Sequence, residues 1–356
     1  MERLEHLIDL DDYKRDDWDA IVRLAQDIVK NPAAYSQRCS GKIMATLFYE
    51  PSTRTQMSFQ TAMLRLGGGL IGFDNPSVSS VAKGENLKDT TKVVSNYADI
   101  LVIRNPMEGS AKAAALTAGC PVINAGDGGH LHPTQTLTDM LTLKMEKGRL
   151  DNLKIGVCGD LINGRTVHSL LKALSCYENN EFVLISTKEL RLPDYIKDII
   201  TERGCKFREV FSIEDAIEDL DMLYMTRIQR ERFASMEEYE RQKDVFVLDA
   251  EKMSKARQDM IVLHPLPRVD EIASEVDGDP RALYFKQANY GVFVRMALII
   301  CVLEGKIHSE PLLKGSLPDG KKCANPKCIT NTEPYLPQSF IQAGSALECE
   351  YCDSKL

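Results

Sequence analysis

Between residues 42 and 303 the chain alternates short apolar runs with segments of helical period, and this alternation restricts it to parallel sheets wrapped by helices. The runs at 42–49, 100–103, 121–124, 154–158, 182–186, 222–226 and 260–263 have strand length. A strand buried on both faces reads as one continuous apolar stretch. After Ser52, the residues Phe59, Ala62, Met63 and Leu66 recur at i, i+3, i+4 and i+7, and Gly67-Gly68-Gly69 stops that helix. Further helices are expected at about 136–146, 166–174 and 292–303. The expected class is α/β, with two domains that each hold a parallel sheet flanked by helices, followed by a small cysteine-rich domain.

Composition narrows the function. Hydrophobic residues make up 44% of the 356 positions and charged residues 27%, enough for packed cores. The net charge of −8 disfavours general nucleic-acid binding, which rests on broad basic surfaces, and no nucleic-acid partner is expected. No secretion signal and no unbroken apolar stretch of membrane-spanning length is visible, so a cytoplasmic protein without a membrane partner is expected. Cys39, Cys120, Cys158, Cys176, Cys205 and Cys301 are scattered through apolar segments and read as buried reduced thiols.

Cationic and hydroxyl residues recur directly after the apolar runs, where open α/β sheets bind ligands. Glu50-Pro51-Ser52-Thr53-Arg54-Thr55 joins a strand to a helix start, whose free N–H groups, hydroxyls and guanidinium suit a phosphate. It is not a Walker loop, since no Gly-x4-Gly-Lys precedes it, and Gly156-x2-Gly159-x4-Gly164 is not a dinucleotide fingerprint. Arg104, Gly164-Arg165-Thr166, Arg227-Ile228-Gln229 and His264 follow other strands, and His132-Pro133-Thr134-Gln135 opens a helix with His132 and Gln135 three apart.

Taken together, residues 1–310 resemble the catalytic chains of the aspartate carbamoyltransferases, which transfer the carbamoyl group of carbamoyl phosphate to L-aspartate in pyrimidine biosynthesis. The signatures are Phe48-Tyr49-Glu50-Pro51-Ser52-Thr53-Arg54-Thr55, His132-Pro133-Thr134-Gln135-Thr136 and His264-Pro265-Leu266-Pro267-Arg268-Val269-Asp270-Glu271. The resemblance implies a carbamoyl-phosphate-binding domain at 1–135 with a returning helix at about 288–308, and an aspartate-binding domain at 136–287. It implies that Ser52, Thr53, Arg54, Thr55 and Arg104 hold the phosphate, and that Thr55, Arg104 and His132 approach the carbonyl oxygen. Gln135 and the carbonyls of Pro265 and Leu266 would serve the amino end, and Arg165, Arg227 and Gln229 the carboxylates of aspartate. Ser79, with Ser80 as the alternative, and Lys83 would enter a neighbour's site, which implies a homotrimer, with pairing of trimers left open. Glu50 would bridge to Arg165 and Arg232 on domain closure. No cofactor is implied for catalysis. The ornithine enzymes share the phosphate loop but typically carry His-Cys-Leu-Pro where this chain has His264-Pro265-Leu266-Pro267.

Beyond a linker at 309–322 lies Cys323-x4-Cys328, and then, twenty residues on, Cys349-x2-Cys352. Four thiolates so spaced suit a tetrahedral structural Zn2+, and a segment this short needs such a staple. Residues 323–356, with Cys323-Ala324-Asn325-Pro326-Lys327-Cys328-Ile329, resemble the zinc domain of the family's regulatory chain, here fused behind a catalytic chain. In the family that domain belongs to a separate polypeptide that also binds nucleotides, so control by ATP or CTP is not expected. The fused domain is expected to brace subunit contacts and the aspartate-binding domain. Its flanking acids, Glu333, Glu348, Glu350 and Asp353, argue against a nucleic-acid-binding ribbon.

Overall fold

The computed structural model describes residues 4–228, 235–242, 245–308, 310–316, 320–344 and 346–356, apart from the side chains of 238, 241 and 242. The chain divides into two compact units, Met1–Thr134 with Gly291–Leu356, and Gln135–Tyr290.

The first unit contains α1 (Arg15–Lys30), β1 (Ile43–Phe48), α2 (Thr53–Arg65), β2 (Gly69–Phe73), α3 (Leu87–Val94), β3 (Ile100–Asn105), α4 (Ser110–Ala115) and β4 (Val122–Asp127). Its sheet is parallel, in the order β2-β1-β3-β4. The two central strands are almost wholly buried, which is why they read as apolar runs. Their register sets Phe48 beside Arg104, so the Glu50–Thr55 turn and Arg104 leave the sheet side by side.

The second unit begins inside α5 (Pro133–Glu146) and continues through β5 (Lys154–Cys158), α6 (Arg165–Leu174), β6 (Glu181–Ile185), α7 (Asp194–Glu202), β7 (Lys206–Val210), β8 (Met222–Met225), α8 (Met236–Gln242), α9 (Ala250–Lys255) and β9 (Ile261–Leu263). Its parallel sheet runs β7-β6-β5-β8-β9. Arg165 follows the central β5, Arg227 follows β8, and the 264–267 loop follows β9, all at carboxyl ends.

The long helix α10 (Tyr284–Leu303) starts well before the expected residue 292. Its length and composition would allow it to cross a membrane, but 72% of that stretch is buried, which marks a core helix. Its buried Arg295 sits in the first unit, 5.0 Å over the Phe59 ring of α2, and donates to the Thr134 hydroxyl at 3.1 Å. Burying a guanidinium is costly unless its donors are satisfied, so this contact fixes how the start of α5 meets α2.

The C-terminal hairpin, β10 (Phe340–Ala343) with β11 (Ala346–Cys349), does not stand alone. Cys328, Ile329, Leu336, Phe340 and Tyr351 share one buried core with Leu87 of α3, Ala111 and Ala114 of α4, and Leu101 of β3. The short segment therefore obtains apolar burial from the rest of its own chain. The described contacts of this segment run to the rest of the first unit. The linker is also partly drawn in: Ser316 pairs with Phe340, and the Lys314 and Gly315 amides donate to Glu350.

Candidate active site

At the start of α2, Ser52 occupies the cap position without making a capping hydrogen bond, so the hydroxyl leaves the first N–H groups of the helix to another partner. Thr55 is buried in the first turn. Arg54 and Arg104 lie close enough that the Arg54 guanidinium falls below its ordinary value, first through burial and then through the charge of Arg104. Two cations gathered at a helix N-terminus suit an anion. In this structure Arg104 is held by Glu50, Nη2 to Oε1 at 2.7 Å, and donates to the Ala125 carbonyl at 3.2 Å.

His132 is buried immediately before α5. Gly126, at φ +123°, shows how tightly the parts meet: a Cβ there would lie 2.7 Å from Arg104 Nη1 and 3.6 Å from His132 Cδ2. Arg104 and His132 therefore converge across Gly126, beside the start of α2. The Thr134 hydroxyl lies 3.4 Å from His132 Nδ1.

In the same unit, Ser79 and Lys83 occupy the turn between β2 and α3. Ser79 Oγ is engaged locally, donating to the Pro76 carbonyl at 2.8 Å and accepting from the Val81 amide at 3.3 Å. Ser80 and Lys83 are exposed, as is Val78 at 78%.

The second unit holds the remaining described residues. Gln135 donates to Asp139 Oδ1 at 2.8 Å. The fully buried Asp139 also accepts from Gln287 at 2.6 Å and from the Tyr224 hydroxyl at 2.9 Å. Gln287 in turn accepts from the His264 amide at 3.0 Å, so one carboxylate organises both Gln135 and the loop of Pro265 and Leu266. His264 accepts from the Leu266 amide on Nδ1 at 2.7 Å and donates from Nε2 to Glu271 at 2.7 Å, which fixes its tautomer. The Leu266–Pro267 peptide is cis. Arg165 opens α6 and Arg227 follows β8, both half-buried. Gln229 and Arg232 lie outside the described residues.

Asp139, Gly126 and His130 were not singled out from the sequence as site residues. Asp139 carried a signal, since it is an acid one helical turn from Gln135 on the same face; the other two carried none.

The four terminal cysteines are buried, with ligand atoms all within 4.8 Å of one another. The Cys323–Cys352 and Cys328–Cys349 sulfurs are 3.5 and 3.8 Å apart. A tetrahedron with Zn–S bonds of about 2.3 Å has edges of about 3.8 Å, so the donor set fits Zn2+. All ten cysteines are free of disulfides.

Comparison with known proteins places this geometry. Residues 5–145 match the family described as aspartate/ornithine carbamoyltransferase, carbamoyl-P binding domain, and residues 151–302 match its Asp/Orn binding domain. The chain belongs to the aspartate/ornithine carbamoyltransferase family. It is a carbamoyltransferase catalytic chain. Residues 321–356 match the metal binding domain of the aspartate carbamoyltransferase regulatory chain, so a regulatory-type metal domain is fused behind the catalytic part. The catalytic subunit of aspartate carbamoyltransferase from Clostridium novyi is 59% identical over 298 residues, covering 84% of this chain and 97% of its own length. The Finegoldia magna subunit is 57% identical over 298 residues, with the same coverage of 84% and 97%. Among solved structures, the M. jannaschii aspartate transcarbamoylase catalytic subunit superposes with a TM-score of 0.80 at 47% identity, covering 85% of this chain and 99% of its own. The Trypanosoma cruzi aspartate transcarbamoylase in complex with N-(phosphonacetyl)-L-aspartic acid gives 0.78 at 38% identity, covering 83% and 95%.

Proposed function

We propose that this chain transfers the carbamoyl group of carbamoyl phosphate to the amine of L-aspartate, giving N-carbamoyl-L-aspartate and phosphate. The observation that carries the reading is the gathering of Arg54 and Arg104 beside His132 at the uncapped start of α2. Ser52, Thr53, Arg54, Thr55 and Arg104 bind the phosphate. Thr55, Arg104 and His132 donate to the carbonyl oxygen, where negative charge grows as the amine attacks. The new C–N bond forms as the bond from the carbamoyl carbon to the phosphate oxygen breaks, and the departing phosphate takes the amine proton. Gln135 and the carbonyls of Pro265 and Leu266 orient the amino end, while Arg165, Arg227 and Gln229 bind the two carboxylates. Rate comes from positioning and fixed charge, with no covalent nucleophile.

The Ser79–Lys83 turn completes a neighbour's site in a homotrimer. Its exposure supports this, as do the exposed Met57 and Leu64, two turns apart on one face of α2. Hybrids of Arg54→Ala and Lys83→Ala chains test it: regained activity is expected, and hybrid trimers without activity would refute it. Phosphate entering between Arg54 and Arg104 displaces Glu50, which then bridges to Arg165 and Arg232 and holds the closed form. Zn2+ held by Cys323, Cys328, Cys349 and Cys352 supplies a structural cross-link. The free thiols suit the cytoplasm. Measuring carbamoylation with aspartate or ornithine as the acceptor tests the function. Turnover with aspartate alone is expected, and preference for ornithine would overturn it.

A further inference from the structure

Strand β4 ends at Asp127, whose side chain is buried. One of its oxygens accepts from the Leu131 amide at 3.0 Å and from Asn124 at 3.3 Å, and the other from the Gly109 amide at 2.9 Å. The residues between β4 and His132 thus fold around a single carboxylate. His130 lies in this turn, with Nδ1 3.0 Å from Asp127 Oδ2. Its Nε2 reaches 2.9 Å from Oδ2 of Asp353, the residue directly after Cys352. The His130 side chain is 10% exposed.

With a carboxylate at each nitrogen, both ring nitrogens act as donors, and the ring is an imidazolium clamped between two anions. Burial works against that charge, but Asp127 and Asp353 together hold the imidazole well above its ordinary value. The surrounding contacts reinforce the same junction. A Cβ on Gly109 would lie 2.5 Å from the Tyr351 carbonyl, and Lys112 of α4 donates to the Glu350 carbonyl. The turn after β11 therefore grips the start of α4 and the turn before His132 together.

We propose that His130 is a positioning residue, joining the segment that carries His132 to the metal-bearing C-terminal domain through Asp127 and Asp353, so that order in the four-cysteine domain is converted into affinity for the phosphorylated substrate. The proposal rests on the site reading given above. The metal domain then acts on the phosphate half of the site within its own chain. Its route is short: Cys352, Asp353, His130, Leu131, His132.

The test compares Asp353→Ala, His130→Ala and the double variant with the wild-type chain, and uses Asn325→Ala as a control. Asn325 donates to Glu108 at 2.6 Å in the same junction but does not touch the His132 turn. Inorganic phosphate binding is measured by calorimetry, KM for carbamoyl phosphate and kcat by assay, and zinc content by metal analysis. The expected result for either single variant is a rise of roughly threefold to thirtyfold in phosphate Kd and in KM, the range of a contact acting through another residue. Full zinc content and little change in kcat are expected alongside. The double variant should match the singles, and Asn325→Ala should bind phosphate like the wild type. Unchanged phosphate affinity in a zinc-loaded Asp353→Ala chain overturns the proposal and leaves the site reading intact. A wild-type chain that does not bind phosphate overturns the site reading, and the proposal with it.

Discussion

Replacing Glu50 with Gln should tighten phosphate binding and weaken aspartate binding at the same time. Glu50 Oε1 holds Arg104 Nη2 at 2.7 Å, with the two side chains 26% and 13% exposed. An arriving phosphate must take Arg104 from that carboxylate. Two unit charges about 4 Å apart attract by roughly 4 kcal/mol at the effective dielectric of a protein surface. Solvent, salt and lost side-chain freedom reduce such pairs to about 1 kcal/mol or less. Glutamine keeps the shape and an acceptor oxygen but removes the charge, so phosphate Kd should fall by up to about fivefold. Calorimetry with inorganic phosphate at low and high ionic strength measures this, and the gain should shrink as salt screens the wild-type pair. Half-saturation by aspartate should rise, because the variant lacks the charge proposed to bridge to Arg165 and Arg232. A Glu50→Gln chain that binds phosphate more weakly than wild type would show that Glu50 supports the site rather than competing for Arg104.

Gly126→Ala would force a side chain into a strained φ and against Arg104, so phosphate affinity should fall by about tenfold or more at a stability cost of about 1–3 kcal/mol; calorimetry and urea unfolding read the two effects separately, and an unchanged Kd counts against the placement of Arg104. Asp139→Ala leaves the donors of Gln135, Tyr224 and Gln287 without their acceptor, at about 1–3 kcal/mol each, and a wild-type urea midpoint would sink the hub. Cys349→Ala should lose zinc and open the C-terminal segment to proteolysis while both larger domains persist, and full zinc retention in the variant would exclude the four-cysteine site. Burial pushes the Glu271 carboxyl up, but hydrogen bonds led by His264 bring it below its ordinary 4.5. A depressed carboxylate contributes stability that is present above the unfolded value and lost as pH falls through the folded one. Urea midpoints should therefore drop less steeply below pH 4.5 for Glu271→Gln than for wild type, and parallel acid limbs would refute it.

What the sequence disclosed followed from how local each signal is. Central strands such as β1 and β3 are buried on both faces and announce themselves as apolar runs. The strands β2 and β7 are largely exposed or half-buried, and Gly69 to Phe73 contains two glycines, so neither produced such a run. The cysteine ligands were legible because metal geometry imposes its spacing on the chain. Where their domain packs was not, because its core is completed by α3 and α4, far away in sequence. The loop proposed to bind phosphate is legible as a contiguous motif. The Asp127–His130–Asp353 clamp was not, since its last link joins residues 223 positions apart and a single histidine or aspartate has no period.

The acids of the metal domain show what fusion changes. Their charge is unsuited to nucleic acid, and Glu350, Glu333 and Asp353 each meet donors in this chain. Glu350 accepts the Lys314 and Gly315 amides, Glu333 accepts the Leu87 amide at 3.1 Å, and Asp353 meets His130. Leu87 begins α3 directly after the Ser79–Lys83 turn, and His130 lies just before His132, so two of these contacts adjoin segments assigned to active sites. Separate chains would need an interface strong enough to associate before such contacts could form. A covalent tether makes the association intramolecular and supplies a high effective concentration without further contact area. A few polar clasps on a shared apolar core then suffice, and because two of them adjoin segments proposed to form active sites, small shifts in the metal domain would fall where substrate affinity is proposed to be set.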